Sequence, residues 1–204
     1  MPRRLLSLAF LACVALLPSC RPQHEGAPKV VVIGGEPKLV DPAAGPLSTP
    51  DAVLLENVAQ GLVQFDASGN IVSGLAERWN VSDDGLSYIF RIASMQWPDG
   101  TKITAQQVAR LLKHQLASRS LNPLKDSLGA VDDIVAMTDR VIEIRLVAPR
   151  PNLLPLLAQP EFAILRNGAG TGPFSAVRTG GQGGEIRLSS EVVSAEDEVT
   201  RRDE

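Results

Sequence analysis

The chain has 204 residues, 44% of them hydrophobic and 21% charged, with a formal net charge of -3. That apolar content is ordinary for a globular chain and supplies enough surface for a core of one domain or two lobes. The acidic balance excludes the basic face that a nucleic-acid partner requires.

The first element is an export signal. Met1-Pro2-Arg3-Arg4 is a cationic start, Leu5 to Leu17 is a charge-free apolar run, and Pro18-Ser19-Cys20 closes it. A positive start, a short apolar stretch and a small residue at the cut describe a secretory signal. The run is shorter than the roughly 20 apolar residues that span a bilayer. Leu17-Pro18-Ser19-Cys20 resembles a bacterial lipobox, with Pro18 unusual in its slot. That resemblance implies a signal peptide over 1–19 and an acylated Cys20 as the new N-terminus, anchored to a membrane by lipid. Cys13 would leave with the signal, so no internal disulfide is expected. Loss of Arg3 and Arg4 takes the net charge from -3 to -5.

Residues 20–28 are polar and Pro-bearing and read as a tether. Lys29 to Ile33 is a β-branched run ended by Gly34-Gly35 and predicts a buried strand. Thr49-Pro50 reads as a helix start with Thr49 as N-cap. Leu54, Leu55, Val58 and Leu62 follow at helical spacing, with Gly61 as the stop. Leu62 to Phe65 predicts a strand turned at Asp66–Asn70. Trp79-Asn80-Val81, the turn Ser82-Asp83-Asp84-Gly85 and the alternation Leu86, Tyr88, Phe90, Ile92 predict a hairpin with an aromatic core face.

Thr104 and Gln107 fit a capping box that opens a helix burying Val108, Leu111, Leu112 and Leu116. Val131–Met137 and Val141–Leu146 predict paired strands around Thr138-Asp139-Arg140. Asn152–Ala158 predicts a short helix that tolerates Pro155 only as a kink or near its start. Phe174–Arg178 and Glu185–Ser189 flank a glycine-rich turn, and residues 190–204 form an acidic tail. The order of elements gives a mixed α/β fold with more hairpins than a doubly wound sheet.

Catalytic chemistry is thinly represented. The chain has two histidines, His24 in the tether and His114 on a predicted helix read as solvent-facing. These do not make a zinc site of three or four ligands, and no G-x-S-x-G elbow is present. No cofactor, metal or enzymatic activity is expected. Gly34-Gly35 and Gly168-Ala169-Gly170 lack the helix start that phosphate binding requires. Asp83-Asp84-Gly85 reads as a turn and not as a calcium loop.

Seven segments in order carry a family resemblance: Asp41-Pro42, Asn57–Leu62, Gly74–Trp79, Ser82–Tyr88 with Phe90-Arg91-Ile92, Trp97–Thr101, Thr104–Val108 and Gly170–Phe174. Together they resemble the extracellular solute-binding proteins of family 5, the peptide and nickel receptors of ABC importers. Gln60, Gln107 and Trp97-Pro98 depart from the usual residues at positions that look structural. The resemblance covers 29–189 and implies the first lobe of a type II periplasmic-binding-protein-like fold, with the chain stopping before the second lobe.

It further implies a periplasmic, lipid-anchored receptor that hands a peptide or similar small solute to a membrane permease and its ATPase. In the family the loop after Asp-Pro lies near the ligand, which implies Ser48 and Thr49 as ligand-facing groups. The Gly170-Thr171-Gly172-Pro173 run reads as a chain crossing that needs backbone freedom. A second reading is an interaction lipoprotein that keeps the fold without transport.

Overall fold

The computed structural model describes residues 29–179 and 185–190. The export segment with Cys20, the tether, the glycine-rich turn and the acidic tail lie outside the described residues. The chain divides into a first unit, residues 1–31, and a second, residues 32–204, to which all the elements below belong.

In chain order these are α1 (Thr49–Val58), β1 (Val63–Phe65), β2 (Ile71–Ser73), β3 (Ala76–Val81), β4 (Ser87–Ile92) and α2 (Ala105–Leu116). There follow β5 (Val131–Thr138), β6 (Val141–Leu146), α3 (Leu153–Leu157), β7 (Ser175–Thr179) and β8 (Glu185–Ser189). β1 pairs with β2, β7 pairs with β8, and a four-stranded sheet runs in the order β3-β4-β6-β5. Every ladder is antiparallel. The architecture is mixed α/β, as the sequence predicts.

The four-stranded sheet is sided by period-two patterning. Tyr88, Phe90 and Ile92 on β4 point into the core, with Ile89 turned outward. Tyr88 lies opposite Ile144 and Phe90 opposite Ile142 on β6, so one apolar layer spans both strands. Its outer face carries charge instead: Glu77 bonds Arg91 at 2.8 Å and Arg140 at 3.1 Å. The Tyr88 hydroxyl donates to the Arg150 carbonyl at 3.0 Å, which gives the one polar atom of that ring a partner.

Helix α2 packs across β5 and β6. The Thr104 hydroxyl accepts from the Gln107 N–H at 3.3 Å and Gln107 Oε1 accepts from the Thr104 N–H at 3.2 Å, which is the expected capping box. Its fully buried stripe is Ala105, Val108, Ala109, Leu112 and Gln115, with Leu111 and Leu116 half-buried at the stripe's edges. Val108 and Leu112 are buried as expected, and Ala105, Ala109 and Gln115 join them in place of Leu111 and Leu116. His114 is partly exposed, but its Nε2 lies 3.2 Å from Asp41 Oδ2, so it is paired as well as solvated.

Three local expectations are corrected. The N-cap of α1 is Ser48, not Thr49. A reciprocal box needs an acceptor three residues on; Asp51 stands there for Ser48, whereas Thr49 would face Ala52. Helix α1 ends at Val58 and not at the expected stop, Gly61. Ala59 is extended, and the terminal carbonyls of Val58 and Asn57 accept N–H groups from Gly172 at 2.9 Å and Phe174 at 3.2 Å. A crossing segment thus satisfies the orphan carbonyls that a glycine cap would otherwise serve. The Lys29–Ile33 run is not a buried strand: Val30, Val31 and Ile33 are 76%, 78% and 91% exposed. A β-branched run becomes a strand only where a neighbour offers a ladder, and no ladder among the described residues includes it.

The remaining segments follow expectation. Pro155 sits in the first turn of α3, where its missing N–H leaves no intrahelical gap. Asp84 Oδ1 accepts from the Ser82 hydroxyl at 2.6 Å and the Leu86 N–H at 3.0 Å. With Gly85 at φ 69° this segment is a plain turn.

Candidate functional site

The site grows out of the crossing of the Gly170–Pro173 run over the end of α1. A Cβ at Gly170 would stand 2.4 Å from the Val58 carbonyl oxygen, and one at Gly172 would stand 2.5 Å from the Val58 carbonyl carbon. Neither glycine has a positive φ. The expected need for backbone freedom is therefore a need for close approach. Just upstream, Arg166 and Ala169 exchange backbone hydrogen bonds at 2.9 and 3.0 Å across Asn167 and Gly168. Both central residues have positive φ, 54° and 73°, the geometry of a type I′ turn.

Facing this segment is the turn Trp97–Thr101. The Asp99 carboxylate accepts from the Thr101 N–H at 3.0 Å and the Thr101 hydroxyl at 2.6 Å, and it pairs with Arg166. The Thr101 bonds chiefly, with the Arg166 charge adding to them, hold the Asp99 carboxyl below the usual carboxylate range against the opposing loss of water. The Arg166 guanidinium lies 4.8 Å from the centre of the Trp97 ring, a cation–π stack. Trp97 is buried, and its Nε1 donates to Gln107 Oε1 at 3.0 Å. Gln107 thus caps α2 and fixes the indole with one oxygen.

Between these two segments lies an open cavity of about 630 Å³. Leu39, Met95, Trp97, Pro98, Pro173 and Phe174 form its apolar wall, and Gln96, Thr171 and Ser175 give it polar edges. No ionisable side chain lines it among the described residues. A second cavity of about 330 Å³ lies beside Glu56, Gln60, Asp66 and Gln159. Partial loss of water and then the negative charge of Glu161 raise the Glu56 carboxyl above its usual value.

The sequence-predicted site residues fall elsewhere. Ser48 and Thr49 are exposed at the start of α1, and neither lines either cavity. The Ser48 hydroxyl donates to Asp51 Oδ2 at 2.6 Å and accepts from the Asp51 N–H at 3.3 Å. Burial opposes ionisation of Asp51, but the Ser48 hydroxyl and the N–H groups of Lys38 and Ser48 outweigh it and lower its pKa. Cys20 lies outside the described residues. No cluster of three metal-binding side chains occurs among the described residues, and none of their helices is long and apolar enough to cross a membrane.

The approach of the two segments beside the cavity is not legible in the sequence: Arg166 and Asp99, which join them, are 67 residues apart. Gln60 stood out only as a departure from the family pattern. Its Nε2 donates to the Thr171 carbonyl at 2.7 Å, a bond that an acidic residue in its place could not donate.

This mixed α/β unit with antiparallel sheets has the fold of part of a type II periplasmic binding protein. Solved structures agree. The protein AgaA of A. tumefaciens R10, in complex with agropinic acid, superposes with TM-score 0.68 and 25% identity over 76% of this chain and 34% of its own. OppA of Haemophilus influenzae, in complex with RPPGFSPFR, gives TM-score 0.69 at 18% identity over 77% of this chain and 37% of its own.

The sequence profile described as "Bacterial extracellular solute-binding proteins, family 5 Middle" matches residues 70–189, and the chain belongs to that family. The probable deoxycholate-binding periplasmic protein YgiS of Escherichia coli K12 is 28% identical over 145 residues, 62% of this chain and 27% of that protein. The periplasmic murein peptide-binding protein MppA of the same strain is 27% identical over 137 residues, 66% of this chain and 25% of that protein. The chain thus spans about a quarter of the length of these curated relatives.

Proposed function

We propose that the chain belongs to the substrate-binding component of an ABC importer, which captures a peptide or similar small solute and delivers it to a permease and its ATPase. The observation that carries this reading is the cleft of about 630 Å³, walled by apolar side chains and polar edges in the manner of small-molecule sites. It lies in a chain whose family binds extracellular solutes. Ser48 and Thr49 are proposed as further ligand-facing groups, through the exposed surface at the start of α1. Titration of the protein with a panel of di- and tripeptides and small organic solutes, followed by tryptophan fluorescence and calorimetry, is expected to give saturable binding of at least one member. A panel with no saturable binder would overturn the reading.

Residues 1–19 are proposed as a lipoprotein signal, 20–28 as a tether, 29–189 as part of the solute-binding domain and 190–204 as an acidic tail, with a periplasmic location held by lipid on Cys20. Cells fed labelled palmitate are expected to label the protein. Cys20→Ala is expected to abolish that label and move the protein to the soluble fraction; unchanged labelling would remove Cys20 as the attachment point.

A further inference from the structure

The two cavities have opposite chemistry, and one side chain of the second is bonded to residues that line the first. The first is lined by Met95, Trp97, Thr171 and Phe174 and by no ionisable side chain among the described residues. The second is lined by Glu56 and Asp66, with Gln60, Gln64 and Gln159, and by no lysine or arginine among the described residues. Gln60 belongs to the wall of the second cavity. Its Nε2 contacts two residues that line the first: it lies 2.7 Å from the Thr171 carbonyl, 3.3 Å from Thr171 Oγ1 and 3.9 Å from Met95 Sδ. The backbone of the same residue is pinned, since the Ile164 N–H donates to the Gln60 carbonyl at 3.0 Å. The residue is therefore held at both ends, by Ile164 at its backbone and by Thr171 at its amide.

We propose that Gln60 is a specificity-determining partition: it confines a bound solute to the apolar cavity and keeps a cationic extension of that solute away from the acidic one. This rests on the reading that the apolar cavity seats solute. The class accepted is then an uncharged apolar group, aromatic or aliphatic. An ammonium attached to such a group has no acceptor charge within the first cavity, and moving it out of water without one is costly. Once the partition is removed, the same ammonium reaches the carboxylates of Glu56 and Asp66, and a charge-assisted contact replaces the lost hydration.

The comparison uses two probes of equal length, 4-phenylbutan-1-ol and 4-phenylbutylamine, with tryptophan fluorescence and calorimetry at pH 7. The wild type is expected to bind the alcohol and to bind the amine about tenfold more weakly, as exclusion by unmet desolvation predicts. Gln60→Ala is expected to tighten the amine about tenfold while leaving the alcohol within about threefold, and added Glu56→Gln is expected to reverse most of that gain. Gln60→Leu keeps the bulk without the hydrogen bond and is expected to stay selective for the alcohol. If Gln60→Ala fails to fold, judged by circular dichroism, Gln60→Ser carries the same comparison.

Binding of neither probe by the wild type would overturn the seat and with it this inference. Alcohol binding with unchanged selectivity in Gln60→Ala or its serine substitute would overturn the partition alone, leaving the solute-binding reading intact. Equal affinity of the wild type for both probes would do the same.

Discussion

Phe90→Ala is expected to lower the free energy of unfolding by about 3–5 kcal/mol, the range for deleting a fully buried aromatic ring. Phe90 is 0% exposed on β4 and lies opposite Ile142 in the middle strands of the four-stranded sheet. Its neighbours cannot easily collapse into the space left behind. Ile142 and Ile144 are fixed by the β4–β6 ladder, and Leu112 approaches from a helix pinned by its capping box. A rigid frame relaxes little, so the cost falls toward the upper end of the range. Domains of this size are stable by about 5–15 kcal/mol, so the variant stays folded with a much lower urea midpoint or unfolds outright at 37 °C. Ile89→Ala supplies the control on the same strand, since Ile89 is turned outward and 42% exposed. Its effect is expected to be within about 1 kcal/mol. A Phe90→Ala midpoint equal to that of Ile89→Ala would mean that the ring is not enclosed.

That prediction rests on a feature legible in the sequence, and the reason is locality. Alternation along Leu86–Ile92 reports the two faces of one strand without reference to anything else, and the structure buries Tyr88, Phe90 and Ile92 as the alternation requires. The Thr104–Gln107 box was legible for the same reason, because both partners lie within one turn. The α1 cap was missed by one residue because serine and threonine are both good caps, and only the position of Asp51 separates them.

The candidate site shows the opposite case. Its apolar cavity joins Leu39, the Met95–Gly100 stretch and the Gly168–Ala176 segment. No local period links these, and the Arg166 stack on Trp97 depends on a tertiary approach. The Gly170–Pro173 run advertised a close crossing, but nothing in it named α1 as the element crossed. Lys29–Ile33 failed because a strand is a property of a pair, and composition reports only one member.

The crossing yields the second large effect. Gly172→Ala is expected to destabilise the fold by about 2–3 kcal/mol, within the range for overpacking a closed contact. The added Cβ would stand 2.5 Å from the Val58 carbonyl carbon, 2.6 Å from the Ala59 nitrogen and 2.6 Å from the Asn57 carbonyl oxygen. All three are backbone atoms, so no rotamer change relieves the clash. Either α1 or the crossing segment must move, and the movement lengthens the bonds that serve the helix's last carbonyls, from Gly172 to Val58 and from Phe174 to Asn57. An orphaned buried carbonyl adds about 1–3 kcal/mol where water does not reach it.

Gly100→Ala separates this cause from ordinary glycine strain. Gly100 has φ +80° but nothing within 4 Å of an added Cβ, so only the left-handed conformation is penalised, by about 1–2 kcal/mol. The ordering expected from urea unfolding is Gly172→Ala lowest, Gly100→Ala intermediate and wild type highest. Hydrogen exchange adds a local readout: the Phe174 amide is expected to lose protection in Gly172→Ala and to keep it in Gly100→Ala. Unchanged protection at Phe174 in Gly172→Ala would show that the crossing does not bear on α1. The helix end would then need another partner for the carbonyls of Asn57 and Val58. Because Thr171 and Phe174 line the apolar cavity, the same displacement is expected to weaken whatever solute it holds, while Gly100→Ala, on the opposite wall, leaves the crossing in register.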